Sequence, residues 1–153
     1  FRDLDQILLP MKIAEENGRL PLKRGPKALQ KIGIPYYHLT KQGILIALSI
    51  SEITNRENLL KEFFSKSEST EKEFEKILST LLKTSPNFTY SILQKYVKAF
   101  CDNKIKDLLP FDLSKLKEVS DESLGIQKEF LEAFLKLSKK EKEDTIKFLN
   151  KIT

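Results

Sequence analysis

Basic side chains without acidic neighbours are the feature of this sequence with the clearest chemical meaning. From residue 19 to residue 41 no Asp or Glu occurs, and the charged residues are Arg19, Lys23, Arg24, Lys27, Lys31 and Lys41. Cations at this density attract phosphates, because each Lys or Arg that neutralises a phosphate releases a condensed counterion. The pattern predicts that nucleic-acid phosphates are contacted by Arg19, Lys23, Arg24, Lys27 and Lys31. A solvated loop in a lysine-rich protein is the alternative interpretation.

Residues that could carry out catalysis are sparse. The chain has one His and one Cys, which cannot supply the usual four ligands of structural zinc. His38 alternates with Tyr37 and Leu39, which predicts a lone surface histidine on a strand. Glu71 and Glu75 stand one turn apart among lysines, which predicts an exposed helix face rather than a catalytic pair. Because no glycine-rich phosphate loop is present either, we predict no enzymatic activity, no metal site and no cofactor.

The N-terminal part must hold the basic run between secondary-structure elements. Apolar residues at helical spacing predict a helix over residues 3–17, followed by an extended stretch over 19–24. Gly25 and Pro26 predict a turn, and residues 34–40, rich in strand formers, predict the return strand. Thr40 is placed to cap a helix that begins at the next residue. The expected order is helix, basic hairpin, helix.

Beyond residue 56, amphipathic spacing predicts a bundle of about five short helices. Three of them are expected over residues 70–83, 89–101 and 120–137. Ser138 and Glu141 form a capping-box pattern that predicts the start of a last helix. The aromatic positions of these helices are predicted core residues: Phe63, Phe64, Phe74, Phe130 and Phe134.

Length and composition fit one ordinary domain or two small ones, since the chain has 153 residues and a net charge of +5. Turn residues are concentrated near the N-terminus, and we predict an N-terminal module over 1–53 and a helical bundle over 54–153. The longest apolar stretch, over 43–50, is far shorter than the roughly 20 residues that span a bilayer. We therefore expect a cytoplasmic protein with no membrane partner.

One segment resembles a known family. Tyr37-His-Leu-Thr-Lys-Gln-Gly43 is similar to the Y-x-L-T-x-x-G signature that closes the wing of many archaeal and bacterial winged-helix DNA-binding domains. The resemblance covers residues 3–50 and includes Glu16-Asn-Gly-Arg-Leu20, similar to the passage from recognition helix to wing. It implies that Tyr37 and Leu39 pack under the wing, that Thr40 caps the next helix, and that Gly43 lets this helix lie close to the sheet. The fold class expected is mainly α, with a partial winged-helix module and a small β-hairpin wing, followed by a helical bundle.

The resemblance and the basic run together imply a DNA-binding protein of the transcription-regulator type, which contacts duplex DNA through its wing. The last helices carry further apolar residues, and we predict a homodimer through the region from Phe130 to Ile152, with Phe148 near its centre. The alternative is a non-enzymatic helical scaffold or adaptor that docks other proteins and binds no nucleic acid.

Overall fold

The computed structural model of the chain describes residues 2–67, 69–119 and 121–153, apart from the side chains of residues 28 and 29. It is mainly helical with a small two-stranded antiparallel hairpin, which confirms the fold class at this level. The elements in chain order are a π-helix (Leu4–Leu8), β1 (Ala14–Leu20), α1 (Lys27–Ile32), β2 (Ile34–Leu39), α2 (Lys41–Leu48), α3 (Arg56–Ser65), α4 (Ser69–Thr84), α5 (Pro86–Cys101), a 3-10 helix (Leu113–Glu118), α6 (Glu122–Lys136) and α7 (Lys139–Ile152).

The first helix is much shorter than the predicted helix over 3–17. It covers Leu4–Leu8, and β1 begins six residues later. Pro10 lacks a backbone N–H, and its ring would clash with the carbonyl four residues earlier, so the helix ends before it. Lys12 takes a left-handed conformation with φ of 53°. Residues 14–16 then pair with β2, and this tertiary pairing overrides their helical spacing.

The hairpin runs from Ala14 opposite Leu39 to Leu20 opposite Ile34. A β-bulge interrupts β1 just before Gly18, whose φ of 145° favours glycine. The return strand is confirmed over Ile34–Leu39. The predicted extended stretch over 19–24 contributes only its first two residues to β1, and the connection contains α1.

The junction between β2 and α2 is a capped helix start that lies close to the chain before β1. Thr40 is the N-cap of α2, and its hydroxyl accepts a hydrogen bond from the Gly43 N–H at 3.0 Å. A Cβ at Gly43 would lie 1.9 Å from the Ile13 carbonyl oxygen, so the helix approaches the neighbouring backbone as closely as only glycine permits. Tyr37 and Leu39 are half-buried in β2.

The core is formed where α2 packs against α3 and α5, and α4 packs against the same two helices. Phe111, after α5, is its aromatic centre: its ring centroid lies 5.5 Å from Phe63, 5.7 Å from Phe74 and 5.2 Å from Tyr96. The Tyr96 hydroxyl donates to the Leu108 carbonyl at 3.0 Å, and burial raises the pKa of Tyr96 to about 12. The fully buried apolar side chains include the predicted core residues Phe63 and Phe64, together with Ile44, Leu45, Leu48 and Leu78.

The chain divides into two compact units, Phe1–Lys115 and Leu116–Thr153. The predicted boundary, between residues 53 and 54, lies between α2 and α3 and so within the first of these units. These two helices pack against each other, and both supply fully buried side chains to the core. The hairpin and α2 therefore belong to the same compact unit as α3, α4 and α5.

In the second unit, side-chain caps mark the start of both helices. The Asp121 carboxylate accepts from the Leu124 N–H at 3.1 Å and caps α6. The capping box of Ser138 and Glu141 at the start of α7 is confirmed. Ser120, the predicted start of the preceding helix, lies outside the described residues.

Apolar side chains of the second unit are not enclosed. None of its described residues is buried, and Phe130, predicted as core, is 44% exposed. Phe134 is half-buried and stacks on Phe130, with ring centroids 5.9 Å apart. The prediction of a core position for Phe130 was wrong because two short helices cannot surround an apolar interior.

Candidate nucleic-acid interface

Four of the five predicted phosphate ligands lie in the connection between the hairpin strands. Lys23 and Arg24 precede the turn at Gly25, and Lys27 and Lys31 stand four residues apart on α1, which places them on one side of that helix. All four are exposed, and none forms an ion pair with a described residue. We call these four residues the basic tip.

Arg19 differs from the other four. It lies within β1, and its guanidinium is paired with the Glu16 carboxylate at 2.8 Å. Both side chains are exposed, so the pair contributes little to stability, but the carboxylate compensates the charge of Arg19. The structure therefore separates Arg19 from the basic tip, although the sequence predicts the same role for all five residues.

Glycine and glutamine fix the shape of the connection. The Gln30 amide donates to the Gly25 carbonyl at 2.6 Å, which ties α1 to the turn before it. Gly33 has a φ of 74°, and a Cβ there would lie 2.8 Å from the Leu20 carbonyl oxygen. These contacts hold the basic tip at one end of the hairpin, while the acidic residues Glu15 and Glu16 lie at the other.

Lys41, the last cation of the basic run, forms an ion pair within the fold and is not part of the basic tip. Its ammonium group is paired with the carboxylate of Glu71 on α4, and it lies 5.2 Å from the centroid of the Phe63 ring. The Glu71 side chain is 2% exposed and also accepts from the Phe111 N–H at 2.8 Å. The sequence analysis placed Glu71 on an exposed face, and that prediction was wrong.

The charge of Glu71 is held by its partners. Burial alone would raise the pKa of this carboxyl. The hydrogen bonds from Lys41 and the Phe111 N–H, together with the positive charge of Lys41, outweigh burial and hold the pKa below its ordinary value. One sequence signal could have indicated that Glu71 faces inward. Glu71 shares a helix face with the apolar residues Phe74 and Leu78, at a spacing of three and seven residues.

His38 is not the isolated surface residue that the sequence predicts. It lies on β2 opposite Glu15, and its Nε2 is 2.9 Å from the Glu15 carboxylate. Its side chain is 29% exposed, and its Nδ1 atom is buried without a hydrogen-bond partner in the described part of the chain. The cross-strand pair joins the two strands at the acidic end of the hairpin.

One face of the hairpin is apolar and open to solvent. Leu20 and Ile34, which are opposite each other in the register, are 58% and 50% exposed. Tyr36 follows on the same face of β2, opposite Gly18, and is 40% exposed. The sequence analysis did not include this face in a candidate site. The spacing of Ile34 and Tyr36, two residues apart on a predicted strand, was the signal that could have indicated it.

A depression of about 620 Å³ in the first unit offers a second surface for comparison. Its lining combines apolar residues with charges of both signs, including Lys12, Glu15, Glu16 and Lys41. None of the basic tip residues contributes to it. Because its charges are mixed and Lys41 is already paired with Glu71, the depression lacks the uniform positive charge of the tip.

The described residues contain no group of three or more His, Cys, Asp or Glu side chains placed to hold a metal ion. Within the same part of the chain, no helix is long and apolar enough to span a bilayer.

Comparisons of the chain with protein-family models, with curated proteins and with solved structures gave no significant match.

Proposed function

We propose that this protein binds nucleic acid, with the basic tip as its contact to the phosphates. The observation that carries the proposal is the placement of Lys23, Arg24, Lys27 and Lys31 at one end of a hairpin, all exposed and without described ion pairs. A surface of four unpaired cations attracts a polyanion without regard to sequence. Arg19 is a weaker contributor because Glu16 compensates its charge.

The local architecture supports a role of the winged-helix type. A two-stranded hairpin leads through the Thr40 cap into α2, and Gly43 brings that helix against the backbone beside the sheet. This is the order in which the wing of a winged-helix domain joins its next helix. The proposal is accordingly a DNA-binding, regulator-like protein in which the hairpin acts as the wing.

The test is the salt dependence of binding to a duplex oligonucleotide. Replacement of all four basic tip residues by Ala should flatten the slope of log K against log salt by about three to four units, because each lost phosphate contact contributes about 0.9. A charge-matched control replaces four exposed lysines on α4 and α5, namely Lys72, Lys76, Lys83 and Lys98. Equal losses in the two quadruple variants would overturn the proposal, since net charge would then explain the binding.

Self-association through the second unit is the second part of this proposal. On α6 and α7 the exposed large apolar side chains are Ile126, Phe130, Leu131, Leu135, Ile146, Phe148 and Ile152. An interface of standard size buries about 800 Å² on each partner, and exposed apolar side chains such as these are the material from which such an interface is built. We therefore infer that a second copy of the chain covers this surface.

Charge complementarity favours a second copy as the occupant. Helix α6 carries three Glu and two Lys, a net charge of −1, whereas α7 carries five Lys and three Asp or Glu, a net charge of +2. In a symmetric dimer, α6 of one copy can lie against α7 of the other, so that opposite charges flank the apolar contact twice.

Light scattering tests the self-association. Phe148 is 59% exposed, and a buried aromatic anchor commonly contributes about 2 kcal/mol or more, so Phe148→Ala should shift a dimer toward monomer at micromolar concentration. Ile77→Ala on α4 is the control, because Ile77 is 56% exposed but lies outside the second unit. A wild-type protein that remains monomeric when concentrated, and gains mass only with a different protein, would favour the adaptor function.

A further inference from the structure

The Tyr36 ring lies across the glycine of the opposite strand. Tyr36 is paired with Gly18 in the hairpin register. A Cβ built at Gly18 would lie 3.1 Å from both Cε1 and Oη of Tyr36 and 3.3 Å from its Cζ, so the ring occupies the space that a side chain would fill. The ring is thus packed against β1, and 40% of the residue remains exposed to solvent.

The surroundings of this ring change from apolar to basic within a short distance. Leu20 and Ile34 form the next cross-strand pair on the same face, about 7 Å along the strands. Lys23 follows Leu20 by three residues and Lys31 precedes Ile34 by three, so each Cα lies within about 11 Å of this pair. An apolar strip with a flat aromatic surface therefore leads into the basic tip.

Aromatic rings next to cations are the chemistry by which proteins hold unpaired bases. A nucleobase offers a π-face for stacking regardless of its identity, while Lys and Arg hold the flanking phosphates. In an intact duplex both faces of each base are already stacked, so only an unpaired base can lie on such a ring. We propose that Tyr36 is a stacking surface for an unpaired nucleobase whose flanking phosphates contact the basic tip, so that single-stranded nucleic acid is a further ligand beside duplex DNA. This inference rests on the proposed function and adds single strands to its ligands.

Fluorescence offers a direct test because the chain contains no tryptophan. In Tyr36→Trp the indole is the only tryptophan, and stacking on a base should quench its emission when an oligodeoxythymidylate of about 12 nucleotides is added at low salt. The matched dA–dT duplex should leave the emission unchanged. Ile77→Trp on α4 is the control for quenching without stacking, since that position is also exposed. Equal quenching in both variants, or none in Tyr36→Trp while the oligonucleotide still binds, overturns the inference.

Affinity measurements separate stacking from folding. Tyr36→Leu keeps an apolar cover over Gly18 but removes the ring, and it should weaken single-strand binding about tenfold while leaving duplex binding unchanged. Tyr36→Phe should bind single strands as the wild type does. If single strands bind and Tyr36→Leu has no effect, the stacking inference fails while phosphate binding by the basic tip stands. If neither single strand nor duplex binds the wild type, the proposed function fails and the inference fails with it.

Discussion

The two units of this chain differ in what holds their helices in place. In Phe1–Lys115, contacts between residues far apart in sequence fix the helices: Lys41 pairs with Glu71, and Glu71 also binds the Phe111 N–H. In Leu116–Thr153, the described hydrogen bonds are local, and none of the described side chains is buried. Short helices without tertiary packing are marginal in water. The comparison indicates that contacts between distant residues stabilise the first unit, whereas the described contacts of the second unit are local.

Removal of the Glu71 charge should have the largest effect on the first unit. Glu71→Gln leaves the half-buried ammonium group of Lys41 without its counter-charge, and breaking a buried pair by removing one member commonly costs about 3 kcal/mol. Urea denaturation followed by circular dichroism measures this loss. Glu75→Gln, one turn away on α4, is the matched control and should cost much less.

A double-mutant cycle tests whether the loss comes from the pair. Lys41→Met should also destabilise the protein, because it leaves the Glu71 carboxylate buried without its ion-pair partner. The double variant should cost less than the sum of the two single ones. Additive losses would show that the two residues act separately.

Low pH should weaken the contacts between the Glu71 carboxylate and its partners. The pKa of Glu71 lies below its ordinary value of 4.5 in the folded protein, so the folded state favours the ionised form. The stability that Glu71 contributes is present in full above the unfolded-state value and is lost as the pH falls through the lower folded-state pKa. The free energy of unfolding of the wild type should therefore fall below pH 4.5 more steeply than that of Glu71→Gln. Parallel pH profiles would contradict this assignment.

A substitution at Gly43, where α2 lies close to the chain before β1, should reduce stability by a smaller amount. Gly43→Ala would place a methyl group 1.9 Å from the Ile13 carbonyl oxygen, so the hairpin and α2 must separate. Overpacking of this kind commonly costs about 1–3 kcal/mol, reduced here by the better helix propensity of Ala. Gly125→Ala on α6 is the control, because nothing lies within 4 Å of the added methyl group there. A Gly43→Ala protein as stable as the control would contradict the close contact between α2 and the Ile13 carbonyl.

The sequence predicted features that depend on nearby residues and missed those that depend on distant ones. The Thr40 cap, the capping box at Ser138 and the helices α4 and α5 follow from local spacing and are confirmed. The partners of Glu71 could not be predicted, because they are Lys41, thirty residues away, and a backbone N–H forty residues away.

The candidate site shows the same division. The exposed cations of the basic tip could be found in the sequence, because charge density is a local property. Compensation of Arg19 by Glu16 and the position of the Tyr36 ring over Gly18 depend on the bulged register of the hairpin. A bulge shifts which residues face each other, and the sequence does not specify where it occurs.

The smallest effect is expected at the capping box of α7, and it sharpens the contrast between the units. The Ser138 hydroxyl accepts from the Glu141 N–H at 3.4 Å, and the Glu141 carboxylate accepts from the Ser138 N–H at 2.8 Å. Ser138→Ala removes the first of these bonds, and loss of an N-cap commonly shifts the helix–coil equilibrium about fivefold. Because the cap is local, helical circular dichroism should decrease slightly while the urea midpoint of the first unit stays unchanged. Thr145→Ala, also on α7, is the control for a lost hydroxyl away from the cap. A lower midpoint for the first unit in Ser138→Ala would show that the stability of the two units is coupled.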